Sequence, residues 1–166
     1  MSDILCSALV PPATVVESLR AELDGLTLPE GARWLEPAQW HVTLGYYGED
    51  ADAAARAGWL RAELAGHKAP TLRLEGAGSF SRVFYLGVYG EGLTELATAA
   101  GAGQERPYLP HLTLARTREE VPAELPRLLS GYSSQEWVAT EAVLMRSDRA
   151  EYSVVARVPL EVAQAG

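Results

Sequence analysis

One cysteine, Cys6, stands alone in 166 residues, so neither an intrachain disulfide nor a cysteine-based zinc site can form. It sits in an apolar run and reads as a buried small hydrophobe. Lysine is just as scarce: Lys68 is the only one, and arginine supplies the remaining positive charge. That positive charge is outweighed, with 14 Lys and Arg against 22 Asp and Glu, a formal net charge of −8 and a pI near 4.9. A chain this acidic is a poor ligand for duplex nucleic acid, where affinity comes from neutralising many phosphates. A cleft with local positive charge that grips one phosphate group remains compatible with it. Long apolar runs are missing too. None approaches the roughly 20 residues of a membrane span, and the first run ends at Pro11-Pro12 after an opening, Ser2-Asp3, without a basic residue. That run is too short for a signal sequence, so a cytoplasmic protein with no membrane partner is expected. With no linker and no low-complexity segment, residues 1–166 read as one domain, and monomer is the default.

What is present is an ordinary globular mixture, 48% apolar and 22% charged. Ile4 to Val10 suits a short strand. Pro12 to Asp24 carries Val15, Val16, Leu19 and Leu23 at helical spacing and stops at Gly25. A short strand at Ala32 to Leu35 and a helix at Ala51 to Leu64 follow. The half-buried alternation of Pro70 to Gly76 and the aromatic, β-branched stretch Arg82 to Tyr89 read as strands on either side of a break at Gly76 to Ser81. Gly92 to Ala100 and Pro122 to Leu129 are short helices. Glu136 to Met145 and Tyr152 to Leu160 read as a final antiparallel pair, turned around Ser147-Asp148-Arg149. Strands and helices in this mixed order, with hairpins, predict an α+β fold of antiparallel sheets with helices on the outer faces.

One phrase occurs twice. His41-Val42-Thr43-Leu44 returns as His111-Leu112-Thr113-Leu114, using two of the three histidines of the chain. Alternate residues of a strand share a face, so each copy presents an imidazole beside a hydroxyl and anchors itself through the residues between. A single His-x-Thr in a strand usually signifies nothing. Two copies brought together would place two imidazoles and two hydroxyls in one small volume. Histidine titrates near neutrality, so one ring can act as base while the other acts as acid, and the threonines can hold phosphate oxygens. Two histidines with no carboxylate or cysteine in the motif are a poor metal-ligand set, and no metal or cofactor is expected. The symmetry leaves open which ring is acid and which is base.

The sequence resembles the two-histidine phosphoesterase superfamily, and within it the RNA 2′,3′-cyclic phosphodiesterases known as 2′-5′ RNA ligases. The likeness is carried by Ala8-Leu9-Val10-Pro11-Pro12, by Arg33-Trp34-Leu35-Glu36-Pro37 ahead of Trp40-His41-Val42-Thr43-Leu44, by Arg82 to Val88, and above all by Arg106-Pro107-Tyr108-Leu109-Pro110-His111-Leu112-Thr113-Leu114-Ala115-Arg116. Tyr152 and Pro159-Leu160 are similar to the closing strand. The resemblance implies a bilobed fold, two antiparallel sheets related by a pseudo-two-fold axis with one motif per lobe and a central cleft. It implies that a 2′,3′-cyclic phosphate, on an RNA 3′ end or a small nucleotide, is opened to a 2′-phosphate, with His41 as proton donor, His111 as proton acceptor and Thr43 and Thr113 holding the phosphate. The alternatives are a non-catalytic module that binds nucleotide ends, and the same chemistry on a 2′-5′-linked or other small cyclic phosphate.

Around the motifs, Arg116, Tyr46, Tyr108 and Phe80 are the substrate-binding candidates. Arg116 offers a guanidinium fork, although uninterrupted strand parity turns it away from His111. The aromatic rings are suited to stacking a base. Arg33 and Arg106 precede the motifs as rim candidates, and His67, with no threonine partner, reads as exposed at a helix end.

Overall fold

The computed structural model describes residues 4–49, 52–103, 107–148 and 151–162. Strand β1 (Ile4–Leu9) ends at the proline pair, and Pro12, extended at φ −74° and ψ 165°, precedes helix α1 (Ala13–Asp24). Val15, Leu19 and Leu23 form the buried stripe of α1, as the spacing requires. A short strand β2 (Ala32–Trp34) and a 3₁₀ turn (Pro37–Gln39) lead into β3 (Val42–Gly48). Helix α2 (Ala53–Leu64) starts later than expected because the Asp52 carboxylate accepts the Ala55 N–H at 2.9 Å and caps it there; Ala51 lies outside the described residues. The second half contains β4 (Thr71–Phe80), β5 (Val83–Tyr89), α3 (Leu93–Ala99), β6 (His111–Thr117), α4 (Glu124–Leu128) and β7 (Trp137–Val138), before β8 (Glu141–Asp148) and β9 (Glu151–Pro159) close the chain.

Two departures from the expected elements matter for the site. The break at Gly76 to Ser81 does not exist: β4 runs on to Phe80, absorbing Gly76 at φ 78° in an irregularity between Leu74 and Ala77. The glycine that reads as a stop is the residue that lets the strand continue. The single strand expected over Glu136 to Met145 is instead two, because Ala139 donates to Pro70 O and Thr140 O accepts from Leu160, outside both ladders. Arg149, expected at the last turn, lies outside the described residues; Asp148 and Glu151 pair on either side of it. His67 is half-buried rather than exposed, because the backbone beside it is tied to Glu161.

The strands follow the order β7-β4-β5-β6-β3-β1-β8-β9, with β2 pairing β6, and the ladders between them are all antiparallel. This order dictates a curl. In a flat sheet β7 and β8 would be six strand spacings apart, roughly 29 Å. Yet only residues 139 and 140 connect them, a reach of about 10 Å. The sheet therefore bends into an open half-barrel.

The order also reads the same from both ends, with β3 matching β6, β1 matching β5, and a helix following each of β1 and β5. The two lobes meet where β3 and β6 touch, in a ladder of one pair, Val42 with Leu112. Val42, Leu44, Leu112 and Leu114 are all at most 1% exposed and share one core with Leu19 of α1, Leu60 of α2 and Leu96 of α3. Each such side chain contributes on the order of 1.5–3 kcal/mol. The helices thus cover the face of the sheet opposite the histidines.

Candidate active site

Because β3 and β6 are antiparallel through Val42 and Leu112, the same register sets His41 across from Thr113 and Thr43 across from His111. The histidines occupy one diagonal of a square and the threonines the other. All four line a cavity of about 250 Å³, together with Arg116, Tyr46, Gln39, Tyr152 and Ser147. Among the described residues, no carboxylate lines it.

The two imidazoles are held alike. His41 Nδ1 lies 2.7 Å from Gln39 O, and His111 Nδ1 lies 2.8 Å from Leu109 O. A carbonyl only accepts, so each Nδ1 carries the hydrogen and each Nε2 is left for a substrate. Both carbonyls are presented by rigid backbone. Gln39 is locked by a reciprocal capping box with Glu36, in which Gln39 Oε1 accepts the Glu36 N–H at 2.8 Å. Leu109 precedes Pro110, which holds it extended. Aromatic rings then brace the imidazoles: the Tyr152 ring centroid lies 5.0 Å from that of His41, while those of Phe80 and Tyr85 lie 5.1 and 5.5 Å from that of His111. Burial lowers the proton affinity of His41 below the ordinary imidazole value, the bond to Gln39 O opposes this, and the positive fields of His111 and Arg116 add to the lowering.

Arg116 reaches the cavity despite its parity, and the reason is a β-bulge. Along β6 the partners on β5 step from Tyr85 opposite Thr113 to Phe84 opposite Ala115, leaving Leu114 extra. Leu114 and Ala115 consequently both face the core, and Arg116 swings onto the histidine side. The first motif does the same. On β3, Thr43 pairs Ala8 and Gly45 pairs Ser7, so Leu44 is extra and Tyr46 joins the cavity. Tyr46, 67% exposed, and Arg116 are therefore counterparts, five residues after their histidines. Small residues at the fourth place, Gly45 and Ala115, are the sequence signal for this that uninterrupted parity overlooks.

The β3 bulge is tightly packed. The buried Ser7 Oγ accepts the Gly45 N–H at 3.0 Å and bonds Tyr47 Oη at 2.8 Å, while Tyr47 donates to Ala100 O at 2.7 Å. A Cβ on Gly45 would meet Ala100 O at 2.2 Å. Gly45→Ala is therefore expected to lower stability by about 1–3 kcal/mol, the usual cost of overpacking. A urea midpoint within error of wild type would refute that account of the bulge.

The other candidates are placed as follows. Phe80 stands at the rim beside His111, 40% exposed, brought there by the continuation of β4. Tyr108 does not line the cavity. Its hydroxyl donates to Thr43 O at 2.6 Å, so its ring ties the approach to one motif to the backbone of the other, and burial drives its pKa up. Arg33 borders a neighbouring cavity, and Arg106 lies outside the described residues. Cys6 is buried, its thiol pushed up to about 11 by desolvation, but it also forms part of the cavity wall. Tyr152, Gln39 and Ser147 went unmarked as site residues in the sequence. Their presence depends on the β1–β8 and β8–β9 pairings and on the 3₁₀ turn, for which the motifs carry no signal.

Paired imidazoles with fixed tautomers, on the waist of a two-lobed curled sheet, define a two-histidine phosphoesterase. The chain belongs to the LigT-like phosphoesterase family, whose model matches it twice in succession, over residues 9–88 and 86–155, one match for each motif. The protein TT0787 of Thermus thermophilus is similar at a TM-score of 0.76 and 26% identity, over 95% of this chain and 97% of that one. E. coli LigT complexed with NADP+ gives 0.77 and 27%, over 96% and 99%, and with 3′-AMP 0.76 and 26%, over 96% and 99%. No curated protein sequence matches the chain. Among the described residues no helix is long and apolar enough to cross a membrane.

Proposed function

We propose that this protein opens 2′,3′-cyclic phosphates, on RNA ends or small nucleotides, to 2′-phosphates by histidine acid–base catalysis without a metal. The observation that carries the reading is the pair of imidazoles, each with Nδ1 tied to a carbonyl and Nε2 free, in one cavity with two threonine hydroxyls and a guanidinium. Thr43 and Thr113 donate to the non-bridging oxygens and Arg116 offsets their charge. His111 Nε2 takes a proton from water as the water oxygen bonds to phosphorus. The phosphorus–O3′ bond breaks on the opposite side, and His41 Nε2 gives its proton to O3′. One water is consumed, and the phosphate stays on O2′. Diagonal placement of the rings suits this in-line path.

The role of His41 requires a change of charge. In the empty cleft its proton affinity is lowered, which disfavours the protonated form an acid needs. An anionic phosphate between the rings reverses the local field and restores it. The nucleotides bound to E. coli LigT, 3′-AMP and NADP+ among them, support a nucleotide as ligand here. Incubation with 2′,3′-cyclic AMP tests the reading, with product regiochemistry from phosphorus NMR. The 2′-phosphate should accumulate at an undiminished rate in EDTA. A 3′-phosphate product, loss of activity with chelator, or no turnover would each overturn the proposal.

A further inference from the structure

The cavity between the histidines is small for a nucleotide. At about 250 Å³ it falls below the range of pockets that enclose whole small-molecule ligands. A cyclic phosphate and part of a ribose fill it, and the rest of any substrate must lie beyond its walls. A second cavity of about 570 Å³ adjoins it, sharing Gln39 and Tyr152, and Arg33 stands on its border.

Arg33 has an unusual neighbour. In the β2–β6 ladder Arg33 is paired directly with Arg116. Cross-strand partners project from the same face with Cβ atoms about 5 Å apart, and like charges so placed repel. Both side chains are exposed, and among the described residues neither makes an ion pair or a hydrogen bond. Trp34 and Ala115, the next pair along the ladder, turn inward, Trp34 against Phe84 in the core. The two guanidiniums are thus held side by side at the cleft mouth by neighbours packed against the core, in a protein of net charge −8. One of them lines the catalytic cavity and the other lines its neighbour.

We propose that Arg33, beside Arg116, forms a second anion site, which takes the next phosphate of the substrate, one ribose away from the phosphate held by the histidines, with the Arg116 guanidinium bridging the two phosphates. An anion placed between the guanidiniums turns their mutual repulsion into attraction, through charge-assisted bonds from both forks. The inference rests on the cyclic-phosphate reading and narrows its substrate class. The protein selects ends that carry a phosphate on the 5′ side of the terminal ribose, as any oligonucleotide does, over nucleosides with one phosphate. Glu36 and Glu151 also line the second cavity, and their carboxylates repel a phosphate that is not held at the arginine pair.

Binding tests this independently of turnover. Isothermal titration of the wild-type protein compares adenosine 3′-monophosphate with adenosine 3′,5′-bisphosphate, which differ by the one phosphate at issue. The bisphosphate should bind at least tenfold more tightly, and in Arg33→Gln the two should come within about threefold of each other, with wild-type circular dichroism confirming the fold. A charged hydrogen bond is worth roughly this factor or more. Equal affinities in the wild type, a preference that survives Arg33→Gln, or failure of both ligands to bind would each overturn the second site. Failure of the hydrolysis assay with the tenfold preference intact would overturn the catalytic reading and leave this site standing.

Discussion

Replacing His41 or His111 with alanine is expected to lower kcat on 2′,3′-cyclic AMP by about 10²–10⁴-fold, the usual worth of a positioned general acid or base. Replacing both should cost more than either change alone but less than the product of the two, since the ring left in each single variant still transfers its own proton. The fold should tolerate either change. Both rings are only partly buried, and each is bonded through Nδ1 to a backbone carbonyl that water can satisfy afterwards. An unchanged thermal midpoint would separate lost chemistry from lost structure. The pH profile then assigns the roles. The base must be neutral and the acid protonated, so the wild-type rate should rise and then fall with pH. His111→Ala should lose the acidic limb of the residual activity and His41→Ala the alkaline limb. Interchanged limbs would keep the chemistry and reverse the assignment, whereas wild-type kcat in either variant would remove the histidines from the mechanism.

The legible part of the site was whatever follows a period of two. Val42, Leu44, Leu112 and Leu114 are in the core and the four polar partners are on the cavity, because alternation is a property of any extended strand. What escaped was where the alternation breaks. Arg116 and Tyr46 face the cavity because each motif strand carries one extra residue after its threonine, and bulges depend on the neighbouring strand as much as on the strand itself. Gly76 misled for a related reason: a positive-φ glycine can end a strand or bend it, and pairing with β5 decides. Tyr108 was legible as an aromatic beside a motif but not as a hydroxyl donor to Thr43, a contact 65 residues distant that exists only once the lobes have met. The duplicated phrase nevertheless encodes more than its four letters. Small residues at 45 and 115 followed by large ones at 46 and 116 repeat the bulge along with the histidine.

Arg116→Met should move two observables in opposite senses. Among the described residues the guanidinium is the one fixed positive charge that lines the cavity, and with it removed the pocket should bind a cyclic phosphate more weakly. A hydrogen bond to a charged group is worth about 1.5–3 kcal/mol, which corresponds to a loss in kcat/KM on the order of 10–150-fold. The same charge helps to hold the proton affinity of His41 down. Without it, the His41 imidazole should titrate at higher pH in the empty protein, as followed by proton–nitrogen NMR of the ring. The isolated group therefore becomes easier to protonate, as an acid requires, while the enzyme becomes slower. Inorganic phosphate added to the wild type should also raise the His41 titration point, because an anion cancels the field of Arg116 just as the substitution removes it. In Arg116→Met the phosphate-induced rise should need a higher phosphate concentration, since the anion has lost its partner. A His41 titration that is unmoved by both the substitution and phosphate would show that Arg116 neither faces the histidine nor shares an anion with it, and the bulge at Leu114 would no longer account for the site.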